Sequence, residues 1–239
     1  MREAVREWLS DITVELMALT PVGTEDRDPE FANWYADVEA TLDTHGFQCI
    51  GHGMGRIVAT PHLDVDLGVS ATEYDHDFED SIVVKFARRA GSDSSSQDGY
   101  EQNKAEAGLW EAVTGDSPPV RYDAAHNVTE PLTPDLFAPV KATAADYGWI
   151  ITTGYAPLDA AYTEYEKPRK AREHVSSCAE AMFLEADIRP DMSPSNVGFR
   201  DIPLTDVLAG DIEYPRPETV ARTDSWVILD SGIPNWAER

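Results

Sequence analysis

Residues 81–89, SIVVKFARR, decide how this chain is read. Ile82, Val83, Val84, Phe86 and Ala87 make a short apolar run rich in β-branched residues, the pattern of a buried strand. Lys85 stands inside that run. An ammonium group buried without an anionic partner is costly, so a carboxylate is expected beside it. The next stretch, YEQNKAEAGLWEAV (100–113), has helical spacing, with Ala105, Leu109, Trp110 and Val113 along one side. Glu106 on that helix is the natural partner. Glu101, more than one turn away, is the second choice. Plainer readings stand beside these: an edge-strand lysine that discourages strand pairing, and a glutamate on a solvated helix face.

On the N-terminal side lies GHGMGRIV (51–58). Gly51, Gly53 and Gly55 can bring backbone close to a phosphate, or can simply turn a hairpin. On the C-terminal side, DMSPSN places four residues between Asp191 and Asn196, and VILDSG (227–232) ends an apolar strand on Asp230. An Asx-type turn before Pro194 and a strand-end turn account for these more plainly. Phosphoryl transfer from ATP needs flexible backbone over the phosphates, a cation on them, and an anion to hold that cation. It also needs oxygen ligands for magnesium and an aspartate near the incoming hydroxyl. This chain offers each part in order, and the order is the argument.

That order resembles the protein-kinase-like superfamily, which includes eukaryotic-type kinases, RIO-type kinases and aminoglycoside phosphotransferases. SIVVKFA is similar to the V-A-I-K strand, which makes Lys85 the phosphate lysine and Glu106 its helix partner. RPDMSPSN is similar to the catalytic loop, which makes Asp191 the base and Asn196 a magnesium ligand. VILDSG is similar to the D-F-G segment, which makes Asp230 the main magnesium ligand. GWIITTGYA (148–156) looks like the strand leading to the hinge, where adenine meets backbone around Thr152–Gly154. The glycines 51, 53 and 55 would lie over the phosphates. Arg189 and Pro190 stand where that family has histidine and arginine, and Ser231 replaces the phenylalanine after the metal aspartate. The interval between Asn196 and Asp230 is longer than in typical kinases, so residues 203–222 are expected to loop out.

The resemblance implies an α/β (α+β) fold of two lobes. Residues 1–46 form a helical extension, 47–155 a small antiparallel-sheet N-lobe, and 156–239 a truncated, minimal helical C-lobe. Periodicity supplies the helices: Val5, Trp8, Leu9, Ile12, Leu16 and Leu19 share one face over 1–19. Phe31, Trp34, Val38 and Leu42 share another, bounded by Asp28–Pro29 and Gly46. Residues 114–135 read as a loop, 137–159 as two strands turning at Tyr147–Gly148, and 159–187 as a helical stretch interrupted at Pro168.

Composition narrows the function class. The chain has 239 residues and a formal net charge of −25, so phosphate backbones repel it and no nucleic-acid partner is expected. It carries 14 Arg and 5 Lys. Many acids, few lysines and many small residues resemble proteins of extreme halophiles, where charge serves solvation at molar salt. No run of about 18 apolar residues exists, so no membrane partner is expected. No signal-peptide pattern opens the chain, and Cys49 and Cys178 are too few for a disulfide framework, so the expected location is cytoplasmic. The acids and histidines at His62, Asp64, Asp66, Asp75, His76 and Asp77 match no ligand spacing and read as solvated loop.

The leading expectation is an ATP- and Mg-dependent phosphotransferase acting on a hydroxyl of a small molecule or a protein. The alternative is a catalytically inactive, pseudokinase-like binding or regulatory module in a larger assembly. A third class, an acidic structural protein without a nucleotide site, would leave Lys85 exposed.

Overall fold

A computed structural model describes residues 1–19, 29–53, 55–72, 74, 78, 81–88, 98–122, 128–157, 188–189, 196–210, 226–230 and 235–236. In chain order these contain α1 (Glu3–Ala18), α2 (Pro29–Thr44), β1 (Phe47–His52), β2 (Arg56–Pro61), β3 (Ile82–Ala87) and α3 (Gly99–Thr114). There follow β4 (Val120–Tyr122), β5 (Val128–Pro131), β6 (Val140–Thr143), β7 (Trp149–Thr153) and β8 (Tyr155–Pro157). The last are β9 (Ile188–Arg189), β10 (Val197–Pro203), α4 (Leu204–Ala209), β11 (Trp226–Ile228) and β12 (Asn235–Trp236). Helices and antiparallel strand pairs together give a mixed α+β architecture. No described helix is long and apolar enough to cross a membrane.

The chain divides into two compact units. The first comprises Met1–Thr72, Ile82–Ala107 and Val140–Thr152. Its five-stranded sheet has the order β1-β2-β3-β7-β6. Side chains alternate across a strand, so the register Ile57↔Phe86 and Ala59↔Val84 sets one apolar face. Those four residues join Phe47, Trp149 and Ile151 from the sheet and Leu9, Ile12, Leu16, Trp34, Val38 and Leu42 from α1 and α2 in one core. Polar contacts hold α1 in place. Arg6 Nη1 donates to Thr143 O at 3.1 Å, and Trp149 Nε1 donates to Ser10 Oγ at 3.2 Å. At the end of β3, the buried Arg88 guanidinium lies 4.2 Å from the Trp34 ring centre on α2. Burial lowers its pKa from the ordinary arginine value.

The second unit comprises Glu73–Ser81, Gly108–Pro139 and Thr153–Arg239. Its three-stranded sheet runs β11-β10-β8, and β4–β5 and β9–β12 form two separate pairs. Ala138, Tyr155 and Val227 make a small core with Phe78 and Leu229 against it.

Two stretches differ from the sequence expectation. Residues 114–135 are not a plain loop: β4 pairs with β5 there, and a 3-10 turn follows at Pro134–Leu136. Strands of three and four residues hold too few alternating positions to register as a period of two. Within 203–222, residues Leu204–Ala209 are helical rather than a loop. One turn and a half is too short for an apolar stripe to show. The helical stretch expected over 159–187 lies outside the described residues, and so does most of the expected loop at 203–222.

Candidate functional site

Lys85 is 4% exposed, and its Nζ lies 2.5 Å from Oε1 of Glu106, which is 7% exposed. β3 supplies the lysine and α3 the glutamate. The other carboxylate oxygen is occupied as well: Arg56 Nη1 lies 2.6 Å from Glu106 Oε2. Arg56 is 1% exposed and opens β2 directly after the last glycine. It reaches the same carboxylate because β2 and β3 pair with Val58 opposite Lys85 and Arg56 opposite Ala87. Arg56 and Val58 are two apart, so they share the face that carries Lys85. The opposite face is the apolar one covered by α1 and α2.

Asn103, one helical turn before Glu106, lies on the same side of α3. Its Oδ1 accepts from Arg56 Nη1 at 3.4 Å, and its Nδ2 donates to Lys85 O at 3.3 Å and to Tyr147 O at 2.9 Å. One buried amide therefore ties α3 to β3 and to the turn between β6 and β7. Glu101, the second-choice partner, pairs loosely with Lys104 at 3.9 Å on an exposed surface. Removing one member of a buried ion pair costs about 3–5 kcal/mol, so truncating any one of these three side chains alone is expected to destabilise the first unit.

Gly51 lies within β1, and Gly53 and Gly55 lie between β1 and β2. Gly53 N donates to Arg56 O at 2.8 Å, and Arg88 N donates to Gly55 O at 2.8 Å. Gly51 lies where the β1–β2 register shifts. Among the described residues, a side chain added at Gly51 or Gly53 would meet nothing within 4 Å. Packing among the described residues does not demand glycine at these two positions. Each strand residue advances about 3.3 Å, which puts Gly55 about 10 Å along β2 from the residue opposite Lys85.

Thr152 is buried in β7. Gly154 is heavily bonded: its N–H donates to Ser81 O at 2.7 Å, and its carbonyl accepts from Ser81 Oγ at 2.6 Å and from Leu204 N at 3.1 Å. An adenine contacting Gly154 backbone would have to displace these bonds.

In the second unit, Asn196 and Asp230 stand side by side. β10 pairs with β11 in the register Val197↔Ile228, so Asn196 precedes and Asp230 follows the same end of this strand pair. Asn196 O accepts from Leu229 N at 2.7 Å and from Asp230 N at 3.3 Å. Two residues distant in sequence are brought together by strand pairing alone. An amide oxygen and a carboxylate are hard donors suited to magnesium, which is held by one or two carboxylates together with substrate phosphates. Among the described residues no group of three or more His, Cys, Asp or Glu side chains could hold a metal ion by itself. Asp191 lies outside the described residues.

Sequence reasoning missed Arg56, Asn103 and Ser81. Asn103 had a signal, its three-residue spacing from Glu106 in NKAE. Arg56 had none, because its face depends on the β2–β3 register.

No protein-family model matches the chain, and no curated protein matches it.

Proposed function

We propose that this chain is an ATP- and magnesium-dependent phosphotransferase of protein-kinase-like type, acting on a hydroxyl acceptor of a small molecule or a protein. The Lys85–Glu106 ion pair carries the reading, with the lysine on the third strand and the glutamate on the next helix. Kinase phosphoryl transfer requires that pairing of a third-strand lysine with a helix glutamate. The backbone at Gly51 and Gly53, open among the described residues, and the adjacency of Asn196 and Asp230 support it independently.

In this reading Lys85, oriented by Glu106, neutralises phosphate charge. Gly51, Gly53 and Gly55 bring backbone close to the phosphates, and adenine sits near the Thr152–Gly154 segment, where contact with Gly154 would displace its bonds to Ser81 and Leu204. Asn196 and Asp230 are the residues that would hold magnesium. When bound, the ion supplies charge neutralisation on the phosphates. Asp191 accepts the acceptor's hydroxyl proton while a new oxygen–phosphorus bond forms and the bond to the ADP leaving group breaks.

The test is calorimetric titration of Mg-ATP in molar KCl into the wild type, Lys85→Met and Asp230→Ala. Saturable binding by the wild type that is lost in both variants supports the reading. Folded wild type that takes up no heat overturns it. Binding without phosphoryl transfer to any acceptor, and with Asp191→Ala indistinguishable from wild type, assigns the non-catalytic binding module instead.

A further inference from the structure

Glu106 uses its two oxygens for two different cations. Oε1 takes Lys85 from β3, and Oε2 takes Arg56 from β2. The terminal torsion of a glutamate is soft and roughly two-fold. A carboxylate held at one oxygen can still swing about that contact. A second charge-assisted bond on the other oxygen fixes the plane of the group. Asn103 adds a bond to the same Arg56 nitrogen from the helix side. Arg56 follows Gly55 directly, so the contact also ties the exit of the glycine turn to α3.

We propose that Arg56 is a positioning residue for the phosphate lysine: by occupying Glu106 Oε2 it holds Oε1, and with it Lys85 Nζ, at one place. The inference rests on the nucleotide-binding reading above for its functional meaning, but its geometry belongs to the first unit alone. Arg56 itself touches no phosphate in this account. It acts through Glu106.

The experiment compares wild type with Arg56→Met and Arg56→Lys by two readouts. One is the nitrogen NMR signal of the Lys85 ammonium in lysine-labelled protein, practicable because the chain has only 5 lysines. The other is the Mg-ATP dissociation constant per folded molecule in molar KCl. Arg56→Met is expected to shift the Lys85 signal, speed its proton exchange and weaken Mg-ATP binding about tenfold, roughly the ratio that 1.4 kcal/mol produces. Arg56→Lys, which restores a cation on Oε2, is expected to recover the Lys85 signal and most of the affinity. A purely structural Arg56 would lower stability in both variants while leaving the signal and the affinity of the folded fraction unchanged, and that result overturns the proposal. If the wild type binds no Mg-ATP, the functional reading falls. The ammonium signal then decides the positioning claim alone: moved in Arg56→Met it stands, unmoved it fails. Should Arg56→Met not fold, Arg56→Gln, which keeps a donor without the charge, serves the same comparison.

Discussion

A single carboxylate between two buried cations is an arrangement in which each partner depends on the others. Loss of the Glu106 carboxylate would take a charged partner from both Lys85 and Arg56. Burial also governs the acidity of Cys49 and Tyr35. Burial raises the Cys49 thiol above its ordinary value, and burial with a hydrogen bond to Cys49 raises the Tyr35 phenol. An acid whose folded-state pKa is raised binds its proton more tightly when folded. Its contribution to stability is therefore complete below the ordinary thiol value of about 8.5 and is lost as pH rises through the folded-state value. Urea midpoints are expected to fall between neutral pH and about pH 10, with a shallower decline in Cys49→Ala. Equal slopes in the two proteins would contradict this assignment.

At the level of elements, α3 is held by close backbone approach as well as by charge. A side chain at Gly99 would come within 1.9 Å of Gly55 O, 2.8 Å of Ala87 Cα and 2.9 Å of Arg88 N. Only a residue without Cβ lets the helix start against the glycine turn and the end of β3. Gly99→Ala is expected to cost about 1–3 kcal/mol, the range for overpacking against atoms that cannot yield easily. Thermal unfolding measures it. The same variant should raise amide exchange at Arg88, whose N–H donates to Gly55 O at the clash. Unchanged stability would mean that the helix start can shift freely, and the ion pair beyond it would then owe nothing to this contact.

For the whole molecule the dominant quantity is the net charge of −25. Like charges on one surface repel, and the repulsion is stronger in the compact state than in the expanded chain. Raising salt from 0.1 M to 1 M shortens the screening length from about 10 Å to about 3 Å. The unfolding temperature is therefore expected to climb steadily between those concentrations of KCl. A Tm that stays flat over that range would show that the acidic surface imposes no measurable strain. The buried ion pairs should respond little to the same change, because screening acts weakly on charges removed from solvent.

Local features were legible along the chain. The apolar period of α1, the strand character of 82–87 and the helix over 99–114 follow from spacing along the chain, which local sterics and burial translate directly into structure. Glu106 was legible as a partner for Lys85 because a buried ammonium demands one. Three things required the tertiary structure. Strand pairing brings Asn196 next to Asp230, although the residues between them carry no signal for it. The β2–β3 register decides that Arg56 shares a face with Lys85, and a slip of one residue would have sent it to the opposite side. Ser81 meets Gly154 across 73 positions, where no sequence period extends. Spacing along the chain fixes what each segment can form. Register and packing, which depend on residues far apart, fix which side chains finally meet.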